Sequence, residues 1–160
     1  MPIVNKSDIE TFIPLATSLD GKRVEMFAMQ TEREKCTEFL GTELYADVVD
    51  NSDTPENDVL REKVLPVIVY WTYVMYLEQG KVFNTATGPV VKRSDASMPL
   101  TDEELSRIVK RYCKIARMYE SELQSFLKDN ADDYPLWKDG RIHTGCQRFS
   151  ITKTDNQREI

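Results

Sequence analysis

The 160-residue sequence is poor in the side chains from which most active sites are built. It holds one histidine, His143, and three cysteines, Cys36, Cys113 and Cys146, none at CxxC spacing. Such spacing indicates neither a disulfide framework nor a zinc site, and a reducing compartment is expected. A lone histidine within "GRIHTGC" reads as a solvated residue rather than a base or ligand. There is no phosphate loop and no GxGxxG; "TGPV" is a turn with a single glycine. No serine, cysteine or aspartate sits in a nucleophile motif. The acidic cluster Asp129–Asp133 reads as a helix exit rather than an acid–base pair or a cation cage. By elimination, neither catalysis nor a metal or cofactor is expected.

Excess positive charge is lacking too. The formal charge is −6 and the pI about 4.9, which argues against wrapping nucleic acid by bulk charge. The opening "MPIVNKSDIE" has no basic segment followed by an apolar run, so no signal peptide is expected. The longest apolar stretch, "VLPVIVYWTYVMYL" (Val64–Leu77), is fourteen residues with one polar side chain, Thr72. A membrane-spanning helix needs about 20 such residues. Glu62 and Lys63 stop this one on one side and "EQGK" on the other, so no membrane is expected. What remains is a helix with apolar contact all round, which in a globular protein is a central helix.

The rest of the chain reads as helices around it. "SDIETFIP" gives one turn, with Ser7 and Glu10 at capping-box spacing and Pro14 as its end. A helix is predicted from about Asp20 to Leu40, stopped by Gly41. Val24, Phe27 and Ala28 lie on one face of it, and Met26, Met29, Cys36 and Leu40 nearly opposite. "TELYADVV" follows, capped by Thr42. The acidic stretch Asp47–Asp58 leads into the central helix, with Thr54 as N-cap and Pro55 at the first helical position. That helix ends at Gly80, and Pro66 in its interior predicts a kink near Arg61–Leu65. In the Lys81–Ser97 connection, Val82-Phe83 and Val90-Val91 flank a turn-rich segment and suggest a short β-hairpin. The Asp102–Asp129 helix is amphipathic, opened by a Thr101/Glu104 capping box. The predicted fold is therefore all-α: a small bundle over residues 1–137 and an extended tail over 138–160.

Three features suggest binding. Arg107, Lys110, Arg111, Lys114 and Arg117 form a basic face opposite the apolar arc of the last helix. Such a face is a solvated surface, a contact for an acidic surface such as Asp47–Asp58 of another copy, or a contact for DNA phosphates. Phe83, Val90 and Val91 in the connecting loop pack on the body or reach a partner. In the tail, Ile142, Phe149 and Ile151 are candidate anchors, by strand addition to a partner's sheet. Tyr70, Trp71, Tyr73 and Tyr76 are hard to cover together within one small chain. With the two-faced helix carrying Met26, Met29 and Leu40, they suggest that neighbouring copies complete the burial.

The order of these features resembles the head–tail connector (adaptor or neck) proteins of tailed phages and prophages. The matching pieces are "FIPLATSLDGKRVEMFAMQTEREKCTEFLGTELYADVV" (Phe12–Val49) and "NTATGPVVKRSDASMPLTDEEL" (Asn84–Leu105), within a resemblance spanning about residues 8–137. The shared landmarks are the Leu-Gly-x-x-Leu-Tyr step at Leu40–Tyr45, a hydrophobic central helix, a Gly-x-Val turn at Gly88–Val91 and the long amphipathic helix after Pro99. The resemblance implies a ring of about twelve copies beneath the portal protein, using heterologous interfaces. The ring would dock a tail or further neck protein and continue the channel through which DNA passes without sequence-specific binding. The virion neck, after synthesis in the bacterial cytoplasm, is the implied location. A second expectation is a non-enzymatic adaptor that holds a partner helix against the Val64–Leu77 aromatics. A bundle di-metal enzyme needs Glu-x-x-His pairs on facing helices, and one histidine cannot supply two.

Overall fold

The computed structural model describes residues 3–13, 21–51, 54–80, 82–85, 88–91 and 101–138. Four helices carry the architecture: α1 (Lys6–Phe12), α2 (Gly21–Asp50), α3 (Pro55–Gln79) and α4 (Asp102–Asp129). Between α3 and α4, strands β1 (Val82–Thr85) and β2 (Gly88–Val91) pair antiparallel, Val82 opposite Val91 and Thr85 opposite Gly88. The helices α2, α3 and α4 alternate in direction. Both α2 and α4 pack along α3, and α1 lies against α2 and α3.

The centre is α3. Leu60, Val64, Pro66, Val67, Ile68, Val69, Thr72 and Val74 are all buried, and at 100° per residue they point to nearly every side of the helix. Pro66 is buried among them, and α3 continues through it as one helix from Pro55 to Gln79. Proline lacks the N–H that would bond the Glu62 carbonyl, and Glu62 is an exposed residue. Interior proline costs roughly 3 kcal/mol, whereas each buried Val, Leu or Ile contributes roughly 1.5–3 kcal/mol. Two or three of them outweigh the proline.

Helix α2 is two segments joined at Gly41, whose φ of 78° and ψ of 164° are non-helical. Only glycine populates that region readily. Three contacts cross or cap the break. The Tyr45 hydroxyl donates to Glu32 Oε1 at 2.9 Å, Trp137 Nε1 donates to the Phe39 carbonyl at 2.9 Å, and Lys138 Nζ meets Glu43 at 2.7 Å. The Phe39 carbonyl is one that the interrupted helix leaves without a partner, so the indole caps the first segment.

Other helix ends follow their local chemistry, with two differences from expectation. The cap of α1 is Asn5, not Ser7: Asn5 Oδ1 accepts from the Ser7 and Asp8 amides, and Asp8 returns a bond to the Asn5 amide at 2.8 Å. Asn is as good a cap as Ser and sits where the backbone turns. Thr54 holds the N-cap position of α3 but makes no capping bond; its hydroxyl donates to Asn51 O. The Thr101/Glu104 box opens α4 as its spacing predicts, through bonds of 3.2 and 2.9 Å.

Two substitutions test this fold. A Cβ at residue 41 has nothing within 4 Å, so Gly41→Ala isolates the backbone cost, and a loss of about 1–3 kcal/mol is expected in denaturant unfolding. Gly41→Asn should be no better, because asparagine's tolerance is for the left-handed helical region and not for this one. Thr72 is 1% exposed and its hydroxyl has no hydrogen-bond partner among the described residues. Thr72→Val should therefore raise stability by about 1 kcal/mol; a loss of that size would mean that the hydroxyl is satisfied.

Candidate functional site

An aromatic seam joins α3 to its neighbours. Tyr70 stacks on Tyr119 and Tyr112 at centroid distances of 5.4 and 6.2 Å, and Phe12 of α1 meets it edge-on at 6.4 Å. Tyr73 takes Tyr112 edge-on at 4.7 Å and stacks on Tyr76. Trp71 donates through Nε1 to Glu120 Oε1 at 2.6 Å, while Lys35 lies 4.5 Å above its ring. Tyr70, Trp71 and Tyr73 are thus half-buried and engaged within the chain. Part of the cover that the sequence reading assigns to neighbouring copies comes from the chain itself: α4 supplies Tyr112 and Tyr119, and α1 adds Phe12.

Lys35 links all three long helices, bonding Glu38 at 2.9 Å and lying 3.5 Å from Glu120. Burial pulls its pKa down, but the bond to Glu38 and the charges of Glu120, Glu38 and Glu34 outweigh this and raise it. Burial raises the Glu120 carboxyl, opposed by Lys35 and Trp71. The charged lysine is the favoured form. A second carboxylate, Glu32, is 3% exposed and accepts from the Ile3 and Val4 amides at 2.8 and 3.3 Å as well as from Tyr45. It holds the N-terminal segment against α2. The Cys36 thiol is buried and pushed well above its ordinary pKa by that burial, the opposite of an activated nucleophile. Among the described residues no group of three metal-ligating side chains comes together.

The other surface candidates separate clearly. Met26 and Met29 stand out from α2, 50% and 55% exposed. Leu40, expected beside them at an interface, is wholly buried, and Cys36 with it. They converge with Phe39, Val64, Val67 and Leu123 at the centre. The reason is that α4 and the 134–138 segment cover the lower part of α2 and widen its buried arc, whereas the level of the two methionines lacks that cover. Arg107, Lys110, Arg111, Lys114 and Arg117 are all exposed. Phe83, Val90 and Val91 belong to the two strands, of which the backbone pairing is described. Ile142, Phe149 and Ile151, with His143, lie outside the described residues.

One surface escaped the sequence reading. The Asn57 amide bonds Asp47 at 3.1 Å and the Asn51 carbonyl at 3.0 Å, and Tyr134 donates to the Glu56 carbonyl at 2.7 Å. The end of α2, the start of α3 and the exit of α4 therefore meet at one end of the bundle. Asp50, Glu56, Asp58, Asp129, Asp132 and Asp133 are exposed there, and the bonds from Asn51 and Asn57 hold the Asp47 carboxyl below its usual range. Val59 and Leu136, 44% and 39% exposed, add apolar area to the same end. The alternation of three helices already implies this meeting, but the two acidic stretches lie some 70 residues apart in sequence and look unrelated when read in order.

The tyrosines give a pH test. Burial raises the pKa of Tyr45, Tyr70, Tyr73 and Tyr134 above 10.0, and for Tyr45 the hydroxyl's bond to Glu32 raises it further. In the unfolded chain they ionise near pH 10, while the folded chain keeps their protons longer. The stabilisation is complete below about pH 10 and is lost as pH rises through the folded-state values. Denaturant unfolding at pH 8, 10 and 11, from roughly two units below the free-tyrosine value to about one above it, should show stability falling at the alkaline end, less so in Tyr45→Phe. A flat profile would mean that these hydroxyls titrate as free tyrosine.

Comparison with known proteins finds no match among curated proteins and none among solved structures. A family described as a family of unknown function, DUF6712, matches residues 36–144. The matched region begins inside α2 and takes in the Gly41 break, α3, both strands, α4 and the 134–138 segment. It covers well over half of the 160 residues, and the chain therefore belongs to this family of unknown function, DUF6712.

Proposed function

We propose that the chain is a structural, non-enzymatic subunit of a phage neck: a head–tail connector that assembles as a ring under the portal protein and continues the DNA channel toward the tail. The observation that carries this is a bundle that closes its core within one chain yet keeps several separate surfaces unoccupied. These are the methionine pair of α2, the basic face of α4 and the acidic, apolar-studded end. A subunit in a closed ring needs different surfaces for its two neighbours, and further ones for the proteins above and below. The resemblance over residues 8–137 to connector proteins supports the same reading. In it the β1–β2 hairpin and the tail after Lys138 are the parts that reach the portal or the next ring. No cofactor takes part, and the genome passes without base-specific contact.

The adaptor alternative places a partner helix against the aromatics of α3. Tyr112 and Tyr119 pack on Tyr70 and Tyr73 there, which favours the connector reading over this one.

Mass by light scattering tests the proposal, for the chain alone and then mixed with the portal protein encoded by the same genome. A ring-sized particle, or co-elution with the portal at a fixed multiple of copies, is expected. A chain that stays monomeric in the presence of that portal removes the connector function.

A further inference from the structure

From Leu105 to Tyr119 the sequence contains no acidic residue, and all five cations of the segment are exposed. None of the five forms an ion pair with another described residue. Each has a like-charged neighbour three or four positions away on the same face, an arrangement that opposes helix formation unless something offsets it. Yet the chain as a whole carries −6. The acidic end poses the reverse problem: exposed carboxylates from three segments crowd together. The two surfaces cannot relieve each other within one molecule, since Arg117 and Asp129 are separated by about 18 Å of helix.

We infer that the acidic end of one copy docks on the basic face of α4 in the next. The inference rests on the ring proposed above only for how the contact closes; the contact itself follows from charge and shape. A second copy fits better than nucleic acid for two reasons. Docking of two copies neutralises both crowded surfaces at once, whereas a phosphate backbone answers one and is repelled by the other. Each surface also carries apolar area, which phosphates cannot use: Met118 beside the basic face, 49% exposed, and Val59 and Leu136 at the acidic end. Apolar contacts rimmed by complementary charge are the usual build of a specific interface. The contact is head-to-tail, so each copy keeps one free surface of each sign until the assembly closes.

Charge exchange tests it, using full-length protein alone and with the portal. One variant carries Arg111→Glu and Lys114→Glu, the other Asp58→Lys and Asp132→Lys. Wild-type association should weaken with salt. Each variant by itself should associate roughly a hundredfold more weakly, because like charges then face each other. Mixing the two should restore assembly, since the new glutamates meet the new lysines while the second interface keeps its native pairing. Restoration is the deciding result, because misfolding of either variant cannot produce it.

Variants that each associate as wild type, or a mixture of folded variants that stays apart, would overturn the contact. So would an Arg111→Glu and Lys114→Glu variant that loses duplex-DNA binding at physiological salt while its self-association is unchanged; the basic face would then be a phosphate surface. Rings on the portal that neither variant disturbs remove this contact and leave the connector proposal standing. A wild-type chain that is monomeric both alone and with the portal removes both.

Discussion

A helix without a polar face has to be enclosed, and in this protein α3 imposes that requirement on every other element. Fourteen residues from Val64 to Leu77 include one polar side chain, so any side left open would expose a continuous apolar strip. Two neighbouring helices leave part of such a cylinder uncovered. The short helix α1 fills the remainder, with Ile9 and Ile13 buried and Phe12 against Tyr70. Seen this way, α1 is not an ornament of the N-terminus. Its attachment through Glu32 to the middle of α2 is the means by which the third side is kept shut.

The polar groups inside the bundle are arranged to connect helices rather than to react. Lys35 and Glu120, with the indole N–H of Trp71, tie α2, α3 and α4 at one level. Asn57 ties the end of α2 to the start of α3. Isolated surface ion pairs contribute little, but these groups are largely withdrawn from water, where leaving one without its partner is costly. Their arrangement fixes which helix turn meets which, something that an apolar core of similar-sized valines and leucines specifies poorly.

Much of this was legible in the sequence, and the failures share a cause. Asp102–Asp129 was bounded correctly because its capping box and exit are local signals. Pro55 and Gly41 likewise marked a helix start and a break through backbone chemistry alone. That α3 continues through Pro66 could not be read locally, because the proline's cost is local while the burial that outweighs it comes from other helices. Leu40 and Cys36 misled for a related reason: the helical wheel placed them near Met29, and only the arrival of α4 and residues 134–138 distinguishes a covered level from an open one. The acidic end was invisible because it is assembled from three segments. Most of what depended on one stretch of chain could be read, the exact caps of α1 and α3 apart; what depended on which stretches meet could not.

The segment after α4 acts as a splint across the break in α2. Tyr134 rests on α3, Trp137 holds the Phe39 carbonyl of the first α2 segment, and Lys138 reaches Glu43 beyond the break. The angle between the two halves of α2 and the direction in which the chain departs at Lys138 are therefore one mechanical variable rather than two. A pull on the chain beyond Lys138 would be felt at a glycine whose conformation other residues rarely adopt, and a change of bend at that glycine would re-aim everything that follows. The C-terminal end of the bundle is geared to its hinge.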